Sequence, residues 1–317
     1  MQYFPIFVDT QQLNVLVVGG GEVATRKIEL LLKSEACVSV VSPDLSSEIQ
    51  EFVKSGRVTH IDGFFDESML EGRQLVFVAT ANEALNAQIS RCAKALNVMA
   101  NVVDSQELCH FITPSIIDRS PMVYAISSEG KAPVLVRYWR ERLESLIPLN
   151  LGKIADFSGS KRQIIKDAFT DGNKRRRFWE RFFSAGDSDS VGKLEGLFNR
   201  LFREEQATQT VDGELYVVQV TNDAQMLSLG ALRHMQQSDI ALLDNDIDGQ
   251  VVELVRRDAN VANLDANEPL NQVGDLLADN QRVCILTTKP VDEFVELCLH
   301  FESDYLIRRF NSALSIG

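Results

Sequence analysis

The residues best suited to chemistry come early in the chain. Val15-Leu16-Val17-Val18 runs straight into Gly19-Gly20-Gly21-Glu22-Val23-Ala24, a G-x-G-x-x-A turn between a buried-strand pattern and a helix pattern. In such a turn the first glycine permits the tight bend. The second lets the backbone approach a pyrophosphate, and the small Ala24 lets helix and strand pack closely. The helix start at Glu22 and Val23 offers free N–H groups and a partial positive charge to the phosphates. Ser42-Pro43-Asp44 follows the next strand, about twenty residues past the turn, where a ribose-binding carboxylate is expected. An acid at Asp44 would repel a 2′-phosphate, which favours NAD over NADP; the same side chain could also cap the following helix. Two more strand ends carry polar groups, at Thr80-Ala81-Asn82 and at Asn101-Val102-Val103-Asp104. Asp104 lies just past its strand, close to the expected nicotinamide, where a carboxylate can act as a general base.

The elements that must position these groups alternate. Strands are expected at Asn14–Val18, Cys37–Val41, Val58–Ile61, Leu75–Ala79 and Val98–Val102, and helices at Val23–Lys33, Leu45–Lys54 and Ala84–Leu96. The first helix sets Val23, Ile28, Leu31 and Leu32 inward, with Arg26, Lys27 and Lys33 on its wet side. Alternation of this kind gives a Rossmann-type parallel sheet covered on both faces, with ligands at the carboxyl edge. Residues 1–113 form this domain. From Phe111 the pattern changes: two short strands, Phe111–Ile117 and Met122–Ser127, precede an amphipathic helix, Ala132–Leu146, and residues 114–149 form a second segment. One face of that helix carries Val134, Leu135, Tyr138, Leu143 and Leu146, and the other Arg137, Arg140 and Arg142. Residues 150–208 read as helical and charged. Lys174-Arg175-Arg176-Arg177 is there better explained as a solvated helix start, followed by packing aromatics, than as an anion site. A linker at Thr208–Gly213 leads to a further α/β unit, 213–317. Its strands are expected at Leu215–Val220, Ile240–Leu243 and Val283–Thr287, and its helices at Leu227–Met235, Val251–Arg256 and Val273–Leu277.

A net charge of −13 over 317 residues argues against a nucleic-acid partner, which needs a basic footprint. Cys37, Cys92, Cys109, Cys284 and Cys298 show no C-x-x-C spacing and read as reduced, mostly core thiols of a cytoplasmic protein. No signal peptide or membrane span is expected. No His/Cys/Glu cluster has metal-ligand spacing, so no permanent metal is expected. His110 reads as an ordinary, partly buried histidine.

Gly19–Lys27, Asn101–Asp104, Pro114–Pro121, Ser127–Leu135 and Arg175–Glu180 together resemble the siroheme synthase family. The resemblance implies NAD-dependent oxidation of precorrin-2 to sirohydrochlorin, followed by insertion of ferrous ion at the same site to give siroheme. It implies that Asp104 is the catalytic aspartate and a transient metal contact. Ser128 aligns with a serine of the tetrapyrrole pocket, although a turn or cap hydroxyl explains it equally well. Arg119, Lys131 and the Ser127–Gly130 backbone are candidates for the substrate carboxylates. Pro114–Leu146 resembles a dimerisation region, so a homodimer is expected. The last unit resembles a methyltransferase half that is truncated and degenerate. Val220–Gln225 replaces a glycine loop, Ala262–Ala266 lacks a lysine, and Thr287-Thr288-Lys289-Pro290 replaces a second glycine loop. Methyl transfer is therefore expected to be absent. A non-catalytic tetrapyrrole-binding protein on the same scaffold is the alternative.

Overall fold

The computed structural model describes residues 1–185, 191–207, 213–221, 223–244 and 246–311. The chain divides into two compact units, Met1–Gly152 and Lys153–Gly317. The expected linker at Thr208–Gly213 lies outside the described residues except for Gly213.

The first unit is built on β1 (Asn14–Val18), α1 (Glu22–Leu31), β2 (Cys37–Val41), α2 (Ser47–Lys54), β3 (Val58–Ile61), β4 (Leu75–Val78), α3 (Glu83–Ala95) and β5 (Met99–Val102). These strands form one parallel sheet in the order β3-β2-β1-β4-β5. Val15 and Val17 of β1 face the core beneath α1 and α2, while Leu16 and Val18 face the core beneath α3. A strand buried on both faces has no wet side, so its sequence is an unbroken apolar run rather than an alternating one. The strand order reverses between β1 and β4, and the crevice at that switch point is where open α/β sheets bind ligands.

Beyond the sheet, β6 (Ser115–Arg119) and β7 (Met122–Ile126) form an antiparallel hairpin, and α4 (Pro133–Leu146) follows. Strand β6 begins later than the apolar pattern from Phe111 suggested. Helix α4 has no buried residue. Its apolar side chains stand in the open in a single chain, with Val134 69%, Trp139 49% and Leu146 74% exposed.

In the second unit α5 (Leu151–Ala168), α6 (Gly172–Ala185) and α7 (Val191–Ala207) bury an aromatic core that includes Phe157, Phe178, Phe182 and Phe198. A second parallel sheet follows, from β8 (Glu214–Gln219), α8 (Leu229–Gln237), β9 (Ile240–Leu243), α9 (Gly249–Val252), β10 (Asn260–Asn263), α10 (Pro269–Ala278), β11 (Arg282–Thr287), α11 (Val295–Phe301) and β12 (Leu306–Phe310). Its order is β10-β9-β11-β8-β12. The two edge strands, β10 and β12, were not expected from the sequence. All four residues of β10 are exposed, and β12 carries Arg308 and Arg309, so neither shows an apolar run.

The arginine run of α6 is not a solvated helix start. Arg177 is buried and donates from Nη2 to the Asn280 carbonyl at 2.9 Å. Arg176 pairs with Asp239 and, at 3.3 Å, with Glu180. Asp239, buried at the foot of β9, also accepts the Arg282 backbone N–H at 2.9 Å and faces Arg256 at 3.3 Å. Arg282 in turn meets Glu180 and, at 3.2 Å, Glu214. These charges join the helices to the amino edge of the second sheet. Sequence alone pointed the arginines to water because their acidic partners lie far along the chain.

Candidate active site

The glycine turn is shaped by its neighbours. Gly19 has φ +117, and a Cβ there would lie 2.4 Å from the Ala79 carbonyl oxygen. A Cβ on Gly20 would lie 1.9 Å from the Asp44 carbonyl oxygen, so the loop after β2 packs directly on this glycine. Gly21 has nothing within 4 Å of its missing Cβ. Gly21 also opens α1, and no side chain caps that helix. The first N–H groups therefore face open space, as an anion site requires. Val23 is exposed rather than inward; the residues of α1 that turn to the core are Ala24, Thr25 and Ile28. Glu22 is exposed and pairs with Arg26.

Ser46, not Asp44, caps α2: its hydroxyl accepts the Ile49 N–H at 3.3 Å. The exposed Asp44 carboxylate has no side-chain partner among the described residues, and Pro43 beside it is exposed. Thr80 donates its hydroxyl to Asn86 and accepts the Asn82 N–H at 3.2 Å, which holds the β4 end against α3. Asn101 is buried and donates to the Phe111 carbonyl at 3.0 Å, which ties β5 to the returning chain.

A cleft of about 900 Å³ opens at the end of β5. Asp104 lines it with Lys27, Cys109, Ser128, Arg137 and Arg140. Asp104 is exposed and sits in the left-handed region at φ +60, a conformation that Asp tolerates better than most residues. Lys27, expected on the wet side of α1, is half-buried in this cleft, with its Nζ 5.7 Å from the centre of the Phe77 ring. Burial pushes its pKa down, while Cys109 and Asp104 pull it up. Cys109 accepts the Val102 N–H at 3.1 Å, and burial pushes its thiol pKa up. His110 is exposed, and its Nδ1 accepts the Ala100 N–H at 3.1 Å.

The expected substrate contacts separate. Ser128 lines the cleft, and its hydroxyl accepts the Ala132 N–H at 3.0 Å just before α4. Arg119 is not on the cleft wall; its guanidinium pairs with Glu144. Lys131 points to solvent and pairs with Glu129 at 3.3 Å. The cations that do line the cleft are Lys27, Arg137 and Arg140. Sequence reasoning missed them because nothing local shows which way a helix face will point. Among the described residues no three of His, Cys, Asp and Glu are grouped to hold a metal ion. Among the described residues, too, no helix is long and apolar enough to cross a membrane.

Fold and site define an α/β protein with a nucleotide-type first sheet and an acid-bearing cleft at its carboxyl edge. Residues 6–115 match the family model "Putative NAD(P)-binding", and residues 150–194 match "Sirohaem synthase dimerisation region". The chain is a homologue of the siroheme synthases over most of its length. It is 43% identical over 291 residues to the siroheme synthase of Pseudoalteromonas atlantica, covering 88% of this chain and 63% of that protein. It is 38% identical over 310 residues to that of Vesicomyosocius okutanii, covering 93% and 66%. The chain thus spans about six-tenths of the length of the curated relatives it matches. Among solved structures, "SirC, precorrin-2 dehydrogenase" has the same fold, with a TM-score of 0.51 and 23% identity, covering 63% of this chain and all of that one.

Proposed function

We propose that this protein oxidises precorrin-2 to sirohydrochlorin with NAD and then inserts ferrous ion, working as a homodimer in the cytoplasm. The observation that carries the reading is the Asp104 carboxylate, which lines a cleft at the carboxyl edge of the same sheet as an uncapped glycine turn. NAD fits the turn: Gly21 leaves a cradle that a Cβ would fill, and Asp44 is free to accept a ribose hydroxyl. Bound there, NAD supplies the acceptor for the electrons that the oxidation releases.

The chain's own groups do the rest. The backbone N–H groups at the start of α1 hold the pyrophosphate. Asp104 accepts a proton from the tetrapyrrole as the double bond forms. The same carboxylate can take pyrrole N–H protons as ferrous ion, a substrate, enters. The Asp104 charge in turn favours the protonated form of Lys27 against its burial.

The open apolar face of α4 and the dimerisation match at 150–194 support a homodimer. We infer that the second unit does not methylate. After β8 the Thr221 hydroxyl donates to the Asp223 carbonyl at 3.1 Å. Across the ends of β9 and β11, Asp244 accepts from the buried Thr287 hydroxyl at 2.9 Å and pairs with Lys289 at 3.0 Å. Side chains thus stand where a glycine loop would leave room for a cofactor.

The test is a single assay with precorrin-2, NAD and ferrous ion, read for NADH and siroheme. Asp104→Asn keeps the shape and removes the base, and should lower NADH formation by about a hundredfold or more. An unchanged rate removes Asp104 from the chemistry. Tetrapyrrole binding by the wild type without NADH formation would establish the non-catalytic alternative.

A further inference from the structure

The cleft is cationic in an acidic chain. The net charge of the protein is −13, yet the charged residues lining the cleft are Lys27, Arg137, Arg140 and a single carboxylate, Asp104. Arg137 and Arg140 are three residues apart on α4, so they lie side by side on one helix face. Arg140 leans on Glu144 at 3.4 Å, and that carboxylate is already held by Arg119. Arg137 has no hydrogen bond, ion pair or ring contact among the described residues. Lys27 reaches the cleft from a different element, α1. A cleft of about 900 Å³ is at the upper end of small-molecule sites. A positive lining in such a cleft concentrates polyanions there.

We propose that Arg137, flanked by Arg140 and joined in the cleft lining by Lys27, is the carboxylate-binding determinant of this site and selects a large substrate edged with several carboxylates. The assignment rests on the tetrapyrrole reading above and names the side chains that recognise that substrate. A guanidinium takes a carboxylate through two parallel N–H donors, a geometry lysine cannot reproduce. Arg119 has a structural role instead. With Arg140 it brackets Glu144 and so fixes how α4 sits on the hairpin.

The test is equilibrium binding of sirohydrochlorin, and of its fully esterified form, to the full chain. Wild type should bind the acid and not the ester, and its affinity should fall steeply with added salt. Arg137→Gln should weaken binding of the acid about ten- to a hundredfold and flatten the salt dependence, while NAD affinity stays within about twofold. Arg137→Lys should recover only part of the loss, which a purely structural role would not predict. If Arg137→Gln binds as tightly as wild type, the assignment is wrong and the functional reading stands. If wild type binds neither form, both fail together.

Discussion

Replacing Gly21 with alanine separates what the glycine turn does for folding from what it does for a ligand. Gly21 has φ −88 and ψ −170, extended backbone that alanine adopts without strain. The new methyl meets nothing within 4 Å. Removing a glycine stabilises by about 0.4–1 kcal/mol through the unfolded chain. Alanine is a poorer N-cap than glycine by a similar amount, about 0.5–1 kcal/mol. The two effects offset, so urea denaturation should place Gly21→Ala within about 1 kcal/mol of wild type. Ligand affinity should behave differently, because in the proposed cradle the methyl would stand between the α1 N–H groups and the pyrophosphate. Loss of one charge-assisted hydrogen bond is worth about 1.5–3 kcal/mol, or about ten- to 150-fold in the dissociation constant. Calorimetric titration with NAD reads this directly. Gly20→Ala is the contrast. Its methyl would lie 1.9 Å from the Asp44 carbonyl oxygen, so the loop after β2 must move. Overpacking of this kind costs about 1–3 kcal/mol or more. Wild-type NAD affinity in Gly21→Ala would refute the cradle, and wild-type stability in Gly20→Ala would refute the packing on Asp44.

Two further outcomes follow from charges in the structure. Asp239→Ala leaves the Arg176 and Arg256 guanidiniums and the Arg282 backbone N–H without their shared buried acceptor, and should destabilise the second unit by about 3–5 kcal/mol. The chain has two tryptophans, so Trp139→Phe leaves Trp179 as the fluorescence reporter of that unit; a loss under about 1 kcal/mol would show the charges to be loosely solvated. Burial lowers the pKa of Lys27 in the folded state, so the unfolded chain holds the proton more tightly. Between that lowered pKa and the ordinary value of 10.5, stability should therefore rise with pH. Lys27→Met should remove this rise and be more stable than wild type near neutral pH, as denaturation midpoints across the range would show.

Much of the first sheet was legible from residue order alone. Asn14–Val18 and Cys37–Val41 are strands as expected, because a strand covered on both faces is a short, mostly apolar run; the edge strand Val58–Ile61 is also where expected, with only Val58 buried. The turn at Gly19–Ala24 was legible because its demands are local: a bend, a close approach and a small residue. Other features depended on partners distant in sequence. The edge strands β10 and β12 have too few apolar residues to announce themselves, and they exist because β9 and β8 offer them unpaired edges. Arg177 is buried because Asn280 and Asp239 wait for it about a hundred residues or less away, a spacing that no periodicity encodes.

The site divides in the same way. Sequence alone determined that a glycine turn, Asp44 and Asp104 stand at strand ends, since the end of a strand is a local property. Tertiary structure decided which cations join them. Lys27 looked solvent-facing on its own helix, and Arg119 and Lys131 looked like substrate contacts where they stand in the chain. Docking α1 and α4 against the rest of the first unit brought Lys27, Arg137 and Arg140 to the cleft and engaged Arg119 with Glu144, while Lys131 stayed in solvent beside its near neighbour Glu129. A helix's polar face becomes a binding wall or a solvated surface according to what packs beside it, and that is settled only when the chain folds.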